Sequence, residues 1–239
     1  MHDDFQFSFQ APQKLAATDN LVYRSAGFHS GAVSLDANRY FHWPERGLAV
    51  AVPESVLGAV NKRKSEFIAG RLCAMDAAQA LSGQAAQIPI KPDRSPAWPA
   101  GLVGSISHSN HHAAALVGRA SEFLGIGLDL EELIKDDLAA QISTQIVNAL
   151  ELALRPAGWT QAQFLTLAFS AKEALYKALY PLQQRYFDFL DVQLIRLDAQ
   201  TATLKVAAAF KPAQIASDEF AVQFSFADSL CTSVALVRP

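Results

Sequence analysis

Cysteine is scarce: the 239 residues hold only Cys73 and Cys231, far apart in the chain. A single disulfide between them is the alternative, and two buried thiols in a reducing compartment is the simpler reading. Charge of either sign is not in excess, with 20 Lys+Arg against 23 Asp+Glu and a net charge of −3. That balance argues against a nucleic-acid binder that works through a basic whole-domain surface, although a local patch can hide in it. Long apolar runs are missing too, since the most apolar stretches are short and interrupted by polar residues, well under a membrane span. The start Met1-His2-Asp3-Asp4-Phe5 is acidic and has no basic segment followed by an apolar one, which argues against a secretory signal. The expectation is a cytoplasmic chain with neither nucleic acid nor a membrane as partner. Disorder is also excluded, because 51% of the residues are apolar. A chain of this mass buries about 72% of its unfolded surface, enough for one large core or two modest ones.

Residues 1–52 mix Phe, Tyr and Val with turn formers and read as short strands. Pro53-Glu54-Ser55 reads as a helix start. Apolar positions Val60, Phe67, Ile68, Leu72, Met75, Ala78 and Leu81 then recur at helical spacing until Gly83 stops them. Gly70 inside that helix costs about 1 kcal/mol relative to Ala and so implies a close neighbour. Pro89, Pro92, Pro96 and Pro99 with Gly101 make 88–103 an irregular, extended loop. Val103–His108 and Ala113–Val117 read as a hairpin about a polar turn, and Leu124–Glu131 as a third strand. Residues 138–154 read as helical. Thr160 to Tyr180 is the clearest helix, capped by Thr160 and barred from extension by Pro181. Beyond it, 192–195, 203–206, 220–226 and 233–237 alternate as strands do. Each half of the chain thus reads as strands plus one long helix, without a visible sequence repeat.

Four groups of residues carry chemistry. Asp129 and Glu131 stand two apart on a strand, so they share a face. Two such carboxylates repel unless a cation lies between them, and Mg²⁺ accepts oxygen ligands while leaving room for phosphate; the plainer alternative is a solvated strand face. In Lys172-Glu173-Ala174-Leu175-Tyr176-Lys177, Glu173 and Lys177 are four apart and share a helix face. A surface ion pair worth roughly 0.3–0.5 kcal/mol is the ordinary reading. Their nearly apolar surroundings favour a third metal ligand or general base at Glu173 and a phosphate partner at Lys177. Gly104-Ser105-Ile106-Ser107-His108 ends a strand with a hydroxyl and an imidazole, both able to hydrogen-bond a phosphate. Arg63, Arg71 and Arg94, with Lys62 and Lys91, supply cations, and the arginine fork suits phosphate.

What is missing narrows the chemistry further. There is no Walker loop, no Gly-x-Gly-x-x-Gly and no Gly-x-Ser-x-Gly turn, which argues against P-loop and Rossmann nucleotide sites and a Ser-His hydrolase. His108, His111 and His112 lack cysteine or acid partners at zinc spacing.

Taken in order, Arg63-…-Glu66-Phe67-Ile68-Ala69-Gly70-Arg71, Arg94-Ser95-Pro96-Ala97-Trp98-Pro99-Ala100-Gly101, Gly104–His108, Gly127-Leu128-Asp129-Leu130-Glu131 and Phe169–Lys177 resemble the 4′-phosphopantetheinyl transferases of the enterobactin and surfactin type. The enterobactin branch is the nearer of the two, through Glu-Phe-x-Ala-Gly-Arg and Trp-Pro-x-Gly. The likeness covers about residues 53–185; residues 1–50 and 186–239 carry no motif. It implies an α+β fold of two similar halves, 1–120 and 121–239, related by a pseudo-twofold axis in a monomer, with the active site in the cleft between them. The first half would contact the phosphates and adenine of coenzyme A, the second would hold the metal and the catalytic helix. By the same resemblance, Asp129, Glu131 and Glu173 would hold Mg²⁺, with Mn²⁺ as an alternative. Lys177 would face the diphosphate, Ser107 and His108 would contact phosphate, Arg94 would lie near the 3′-phosphate, and Arg63 and Arg71 would complete the coenzyme contacts. Glu173, Lys177 and His108 are the expected catalytic residues. The implied reaction moves the phosphopantetheine arm to a serine of an apo acyl or peptidyl carrier protein and releases adenosine 3′,5′-bisphosphate. A non-catalytic coenzyme A binder and a metal-dependent nucleotide diphosphate hydrolase are the competing readings.

Overall fold

The computed structural model describes residues 4–10, 20–227 and 229–239. Met1–Asp3 of the acidic start and residues 11–19 of the expected strand region lie outside the described residues. The chain divides into two units, Met1–Glu122 and Phe123–Pro239.

In the first unit, β1 (Gln6–Phe9), β2 (Leu21–His29), β3 (Tyr40–Trp43) and β4 (Leu48–Ala51) precede helices α1 (Glu54–Leu57) and α2 (Asn61–Ser82). The hairpin β5 (Leu102–Ser109) and β6 (His112–Arg119) follows. An antiparallel sheet forms in the order β1-β2-β6-β5, and β3-β4 pair separately. Helix α2 is apolar almost all round between Phe67 and Ala78 and is buried over that length, as such a helix must be. Ile68 and Leu72 are fully buried, a gain of about 1.5–3 kcal/mol for each side chain. Gly70 has the close neighbour that its position implied, since a Cβ there would stand 2.8 Å from Ile106 Cγ2.

One long helix from Pro53 is not what forms. The helix breaks at 58–60, where Val60 turns extended (φ −63°, ψ 155°) and is exposed rather than part of the apolar stripe. Its spacing matches the helix period by coincidence. Gly83 stops α2 as expected, in the left-handed conformation at φ 73°. The proline-rich loop is irregular as read, pinned by Lys91 N–H to Ser95 O (2.9 Å) and Ala97 N–H to Pro89 O (2.9 Å).

The second unit runs β7 (Gly125–Glu132), α3 (Asp136–Ile146), α4 (Ala149–Leu152), α5 (Gln161–Gln183), β8 (Val192–Leu197), β9 (Thr201–Val206), β10 (Glu219–Ala227) and β11 (Leu230–Val237). Its antiparallel sheet has the order β7-β11-β10-β9-β8, so β7 is an edge strand of that sheet. Residues 138–154, which read as one helix, are two, because Val147 and Asn148 are extended. Asn148 then caps α4 in a reciprocal box with Glu151. Thr160 caps α5 as expected, accepting from Gln163 N–H at 3.1 Å while Gln163 Oε1 accepts from Thr160 N–H at 2.9 Å. Pro181 does not end α5; it lies inside the helix, which runs to Gln183 and closes with Gln184 left-handed at φ 51°. A proline near a helix end forfeits one backbone bond, and flanking packing tolerates the loss there.

Lys172 shows what a motif charge can be for. Its Nζ lies 2.6 Å from Glu151 Oε1 and donates to Ile146 O (2.7 Å) and Phe189 O (2.9 Å). Glu151 in turn accepts from Leu194 N–H (2.8 Å) and Asn148 N–H (2.9 Å). Both side chains are 1% exposed. Burial lowers the Lys172 pKa and the Glu151 carboxylate opposes that shift. This satisfied pair ties α5 to the ends of α3 and α4 and to β8. Lys172→Met leaves a buried carboxylate without its cation and is expected to cost about 3–5 kcal/mol, read as a lower urea midpoint.

Candidate functional site

Helix α5 lies across β7, and two glycines set the distance. A Cβ at Gly125 would stand 2.1 Å from Ala178 O, and one at Gly127 would stand 1.7 Å from Ala174 O. Two strand residues advance about 6.6 Å and four helix residues about 6 Å, so a glycine on every second strand position tracks one turn of an antiparallel helix. Asp129 and Glu131 continue the same face of β7 and therefore look toward α5, as their spacing predicts. Helical side chains lean toward the N-terminus. Lys177 does so, reaching from the Ala174–Ala178 level to donate to Leu128 O (3.1 Å) and Asp129 Oδ1 (2.7 Å). Glu173, one turn earlier, stands on the same side of the helix.

The electrostatics record this crowding. Glu131 is pushed up to about 7, first by burial and then by Asp129, with Glu132 and Glu173 adding to it and Lys177 opposing. Glu173 is raised by burial and by Asp129, against the pull of Lys177. An all-oxygen set of acids held this way fits a hard dication, which would relieve their repulsion. Among the described residues, no three His, Cys, Asp or Glu side chains are grouped closely enough as they stand to hold a metal ion; Lys177 is the cation beside Asp129. The raised Glu131 carries a stability consequence. Its folded pKa exceeds the unfolded value near 4.5, so stability falls as pH rises from about 4.5 to about 7 and stays reduced above. Glu131→Gln removes that penalty: its melting temperature is expected to exceed the parent's by about 2 °C or more at pH 8 and to match it near pH 4.

Next to Glu173 is a small cavity of about 50 Å³, walled by Tyr176, Tyr186, Phe187, Phe189 and Val192. Residues 186–189 carry no motif in the sequence, yet they wall this cavity beside Glu173. The aromatic run Tyr186-Phe187-Asp188-Phe189 is the signal that could have found it.

Apart from Lys177, the basic candidates belong to the first unit, and they separate into places. Arg63 Nη1 is 3.2 Å from His108 Nε2, near the start of α2 and the end of β5. Ser107 precedes His108 on β5, so it points to the opposite face of the sheet; Ile106 and His108 face α2, and Ser107 is buried on the other side. Arg71 is two turns along α2 from Arg63. Its guanidinium stacks on the Phe67 ring at 4.9 Å and lines a cavity of about 430 Å³ with Met75, Ile88, Ile90 and Lys91. Burial, then Arg63, lowers the Arg71 pKa to about 10, and its buried Nε has no hydrogen-bond partner among the described residues, an unmet donor of the kind that ligands satisfy. Arg94 is exposed on the turn after that cavity wall, with φ +69°, a conformation costing a non-glycine residue about 1 kcal/mol. Glu66, which enters the sequence reading only as part of a motif, stands among Lys62, Arg63 and His108 at 3.8–3.9 Å.

The structure is thus a mixed α and β protein with an acid-and-lysine face behind paired glycines in one unit and an arginine-lined cavity in the other. Comparison with known proteins agrees. The family model for the 4′-phosphopantetheinyl transferase N-terminal domain matches residues 53–118, and that of the 4′-phosphopantetheinyl transferase superfamily matches 125–235. Enterobactin synthase component D of Salmonella typhi is 38% identical over 122 residues, 50% of each chain. The Escherichia coli K12 protein of that name is 38% identical over 143 residues, 59% of this chain and 66% of its own. The 4′-phosphopantetheinyl transferase Svp of Streptomyces mobaraensis is 33% identical over 171 residues, 68% of each. The match thus spans about half the length of the Salmonella relative. The chain belongs to the 4′-phosphopantetheinyl transferase superfamily. Among the described residues no helix is long and apolar enough to cross a membrane, and Cys73 and Cys231 are both free and buried.

Proposed function

We propose that this chain transfers the 4′-phosphopantetheine arm of coenzyme A to a serine of an apo acyl or peptidyl carrier protein, in the cytoplasm and as a monomer. One observation carries the reading: Asp129, Glu131, Glu173 and Lys177 face one another across the α5–β7 contact. The superfamily membership supports it.

In this mechanism the serine oxygen forms a bond to the phosphorus that bears the pantetheine arm. The bond from that phosphorus to the oxygen of adenosine 3′,5′-bisphosphate breaks, and the bisphosphate leaves. Glu173 takes the serine proton; its raised proton affinity makes it a better base than a free carboxylate. Lys177 offsets the negative charge that develops on the leaving group. Asp129, Glu131 and Glu173 would hold Mg²⁺, or Mn²⁺, which when bound neutralises the diphosphate so that a nucleophile can approach. Arg63, Arg71, Arg94 and His108 bind the phosphates of the coenzyme, with the cavity beside Arg71 taking the adenosine 3′-phosphate end; Ser107, on the opposite face of β5, is not grouped with them.

The test is incubation with coenzyme A, Mg²⁺ and an apo carrier protein, read by intact mass. A gain of one phosphopantetheine arm on the carrier, together with release of the bisphosphate, is expected. Consumption of coenzyme A without a carrier would instead mark a diphosphate hydrolase, and binding without turnover a non-catalytic relative.

A further inference from the structure

Lys172 precedes Glu173 on α5, and its Nζ is fully engaged. The three ammonium protons have three acceptors: Glu151 Oε1 at 2.6 Å, Ile146 O at 2.7 Å and Phe189 O at 2.9 Å. Glu151 is engaged in the same way, by Leu194 N–H at Oε1 (2.8 Å) and Asn148 N–H at Oε2 (2.9 Å). Two buried side chains thus fasten the end of α3, the cap of α4, β8 and the short turn Phe189–Asp191 to one point of α5. At 1% exposure Lys172 takes no part in holding a phosphate.

Stability is a poor reason for this arrangement. Two charges taken out of water regain little more than they lose, and an apolar pair of the same volume is often as stable or more so. A pair with fixed bond directions does what an apolar pair does not: it sets where distant backbone lies. The backbone in question is 186–191, which joins α5 to β8 without a strand ladder. Within it, Asp188 accepts from Phe189 N–H (2.7 Å) and Asp191 from Asp188 N–H (2.8 Å), bonds that shape the turn but do not place it. The Lys172 bond to Phe189 O places it, with the Phe189 ring 5.0 Å from that of Phe169 on α5. Tyr186, Phe187, Phe189 and Val192 then wall the cavity of about 50 Å³ that Lys172 and Glu173 also line. We propose that the Glu151–Lys172 pair is a positioning element for the transfer reaction. By holding 186–191 against α5 it fixes the wall beside the Glu173 side chain, and so the direction from which that carboxylate meets the serine hydroxyl. This rests on the reading of the chain as a transferase with Glu173 at its reacting centre. A misplacement of about 1 Å at such a group costs roughly 100-fold in rate.

The variant that tests it combines Glu151→Gln with Lys172→Met in the full chain. Glutamine keeps an oxygen for the Asn148 N–H, methionine fills the lysine's volume, and no charge is left buried. The urea midpoint is expected to return close to the parent's from the low value of Lys172→Met alone. The kcat for carrier modification is expected to stay about 10- to 100-fold below the parent's, with KM for coenzyme A within about twofold. Hydrogen exchange supplies a readout that needs no turnover. Amides of 186–191 are expected to exchange about tenfold faster in the double variant, and those of 164–179 at the parental rate. Parental kcat in the folded double variant overturns the proposal, since a role in stability alone restores the rate along with the fold. Parental exchange over 186–191 overturns it as well. If the double variant does not fold, Phe189→Ala decides: it removes the wall and leaves the pair and its carbonyl bond in place. The same loss of kcat is then expected, and a parental kcat overturns the proposal. A parent chain that modifies no carrier overturns the transferase reading instead, and the exchange comparison still tests whether the pair holds 186–191.

Discussion

Gly127→Ala is expected to unseat α5 from β7 and to cost about 3 kcal/mol or more, the upper range for overpacking. The added methyl would stand 1.7 Å from Ala174 O and 2.7 Å from its carbonyl carbon. Those are backbone atoms inside a helix, so no side chain can rotate away to make room. The helix must lift as a body, and Lys177 then loses its 2.7 Å contact with Asp129. Stability and site geometry should fail together. A lower urea midpoint measures the first, and loss of carrier modification at a temperature where the variant is still folded measures the second. Gly125→Ala, with a 2.1 Å approach to Ala178 O, should behave similarly. Near-parental stability of Gly127→Ala would mean that α5 does not depend on this approach.

Glu173→Gln is expected to leave the fold intact and to lower the transfer rate by about 10²–10⁴-fold, the usual contribution of a general base. Glutamine preserves volume and hydrogen-bonding shape but cannot take the serine proton. A carboxylate bound to a dication is a weaker base than a free one, so the roles of base and metal ligand pull against each other at Glu173. Burial and Asp129 push its proton affinity the other way, which eases the conflict. If Glu173→Gln turns over at a near-normal rate with Mg²⁺ present, Glu173 is not the base. Asp129→Ala isolates the metal-binding role. It should steepen the Mg²⁺ requirement, and an unchanged Mg²⁺ dependence would remove Asp129 from the metal site.

Wherever a feature is written in a short window, it is legible in the sequence. The caps at Thr160 and Gly83, the hairpin 102–119, the strand 125–132 and the strands after 192 all follow from spacing and turn residues. So does the shared face of Asp129 and Glu131. The errors are local as well. Val60 falls on the helical period by chance, and a proline near a helix end, such as Pro181, has less power to break a helix than its sequence position suggests. Ser107 and His108 are grouped by adjacency, although alternation along a strand already separates them.

By itself, the sequence determined the element types, the two long helices, the order of the motifs and the residue types able to handle phosphate and a hard cation. These depend on periodicity and composition over a few residues. Only the tertiary structure decided which charge does what. Lys172 and Lys177 are five apart on one helix and look alike in the sequence. One is sealed against Glu151, the other reaches Asp129. Glu66 stands beside His108 only because the end of β5 brings that ring to α2. Gly125 and Gly127 acquired theirs only when α5 lay against them. The physical reason is that a charge is defined by its solvent and its partners, and those partners arrive from tens of residues away. The pairs that matter are 21, 42 and 48 positions apart (Glu151–Lys172, Glu66–His108 and Asp129–Lys177), and no local pattern encodes which distant group will close the distance.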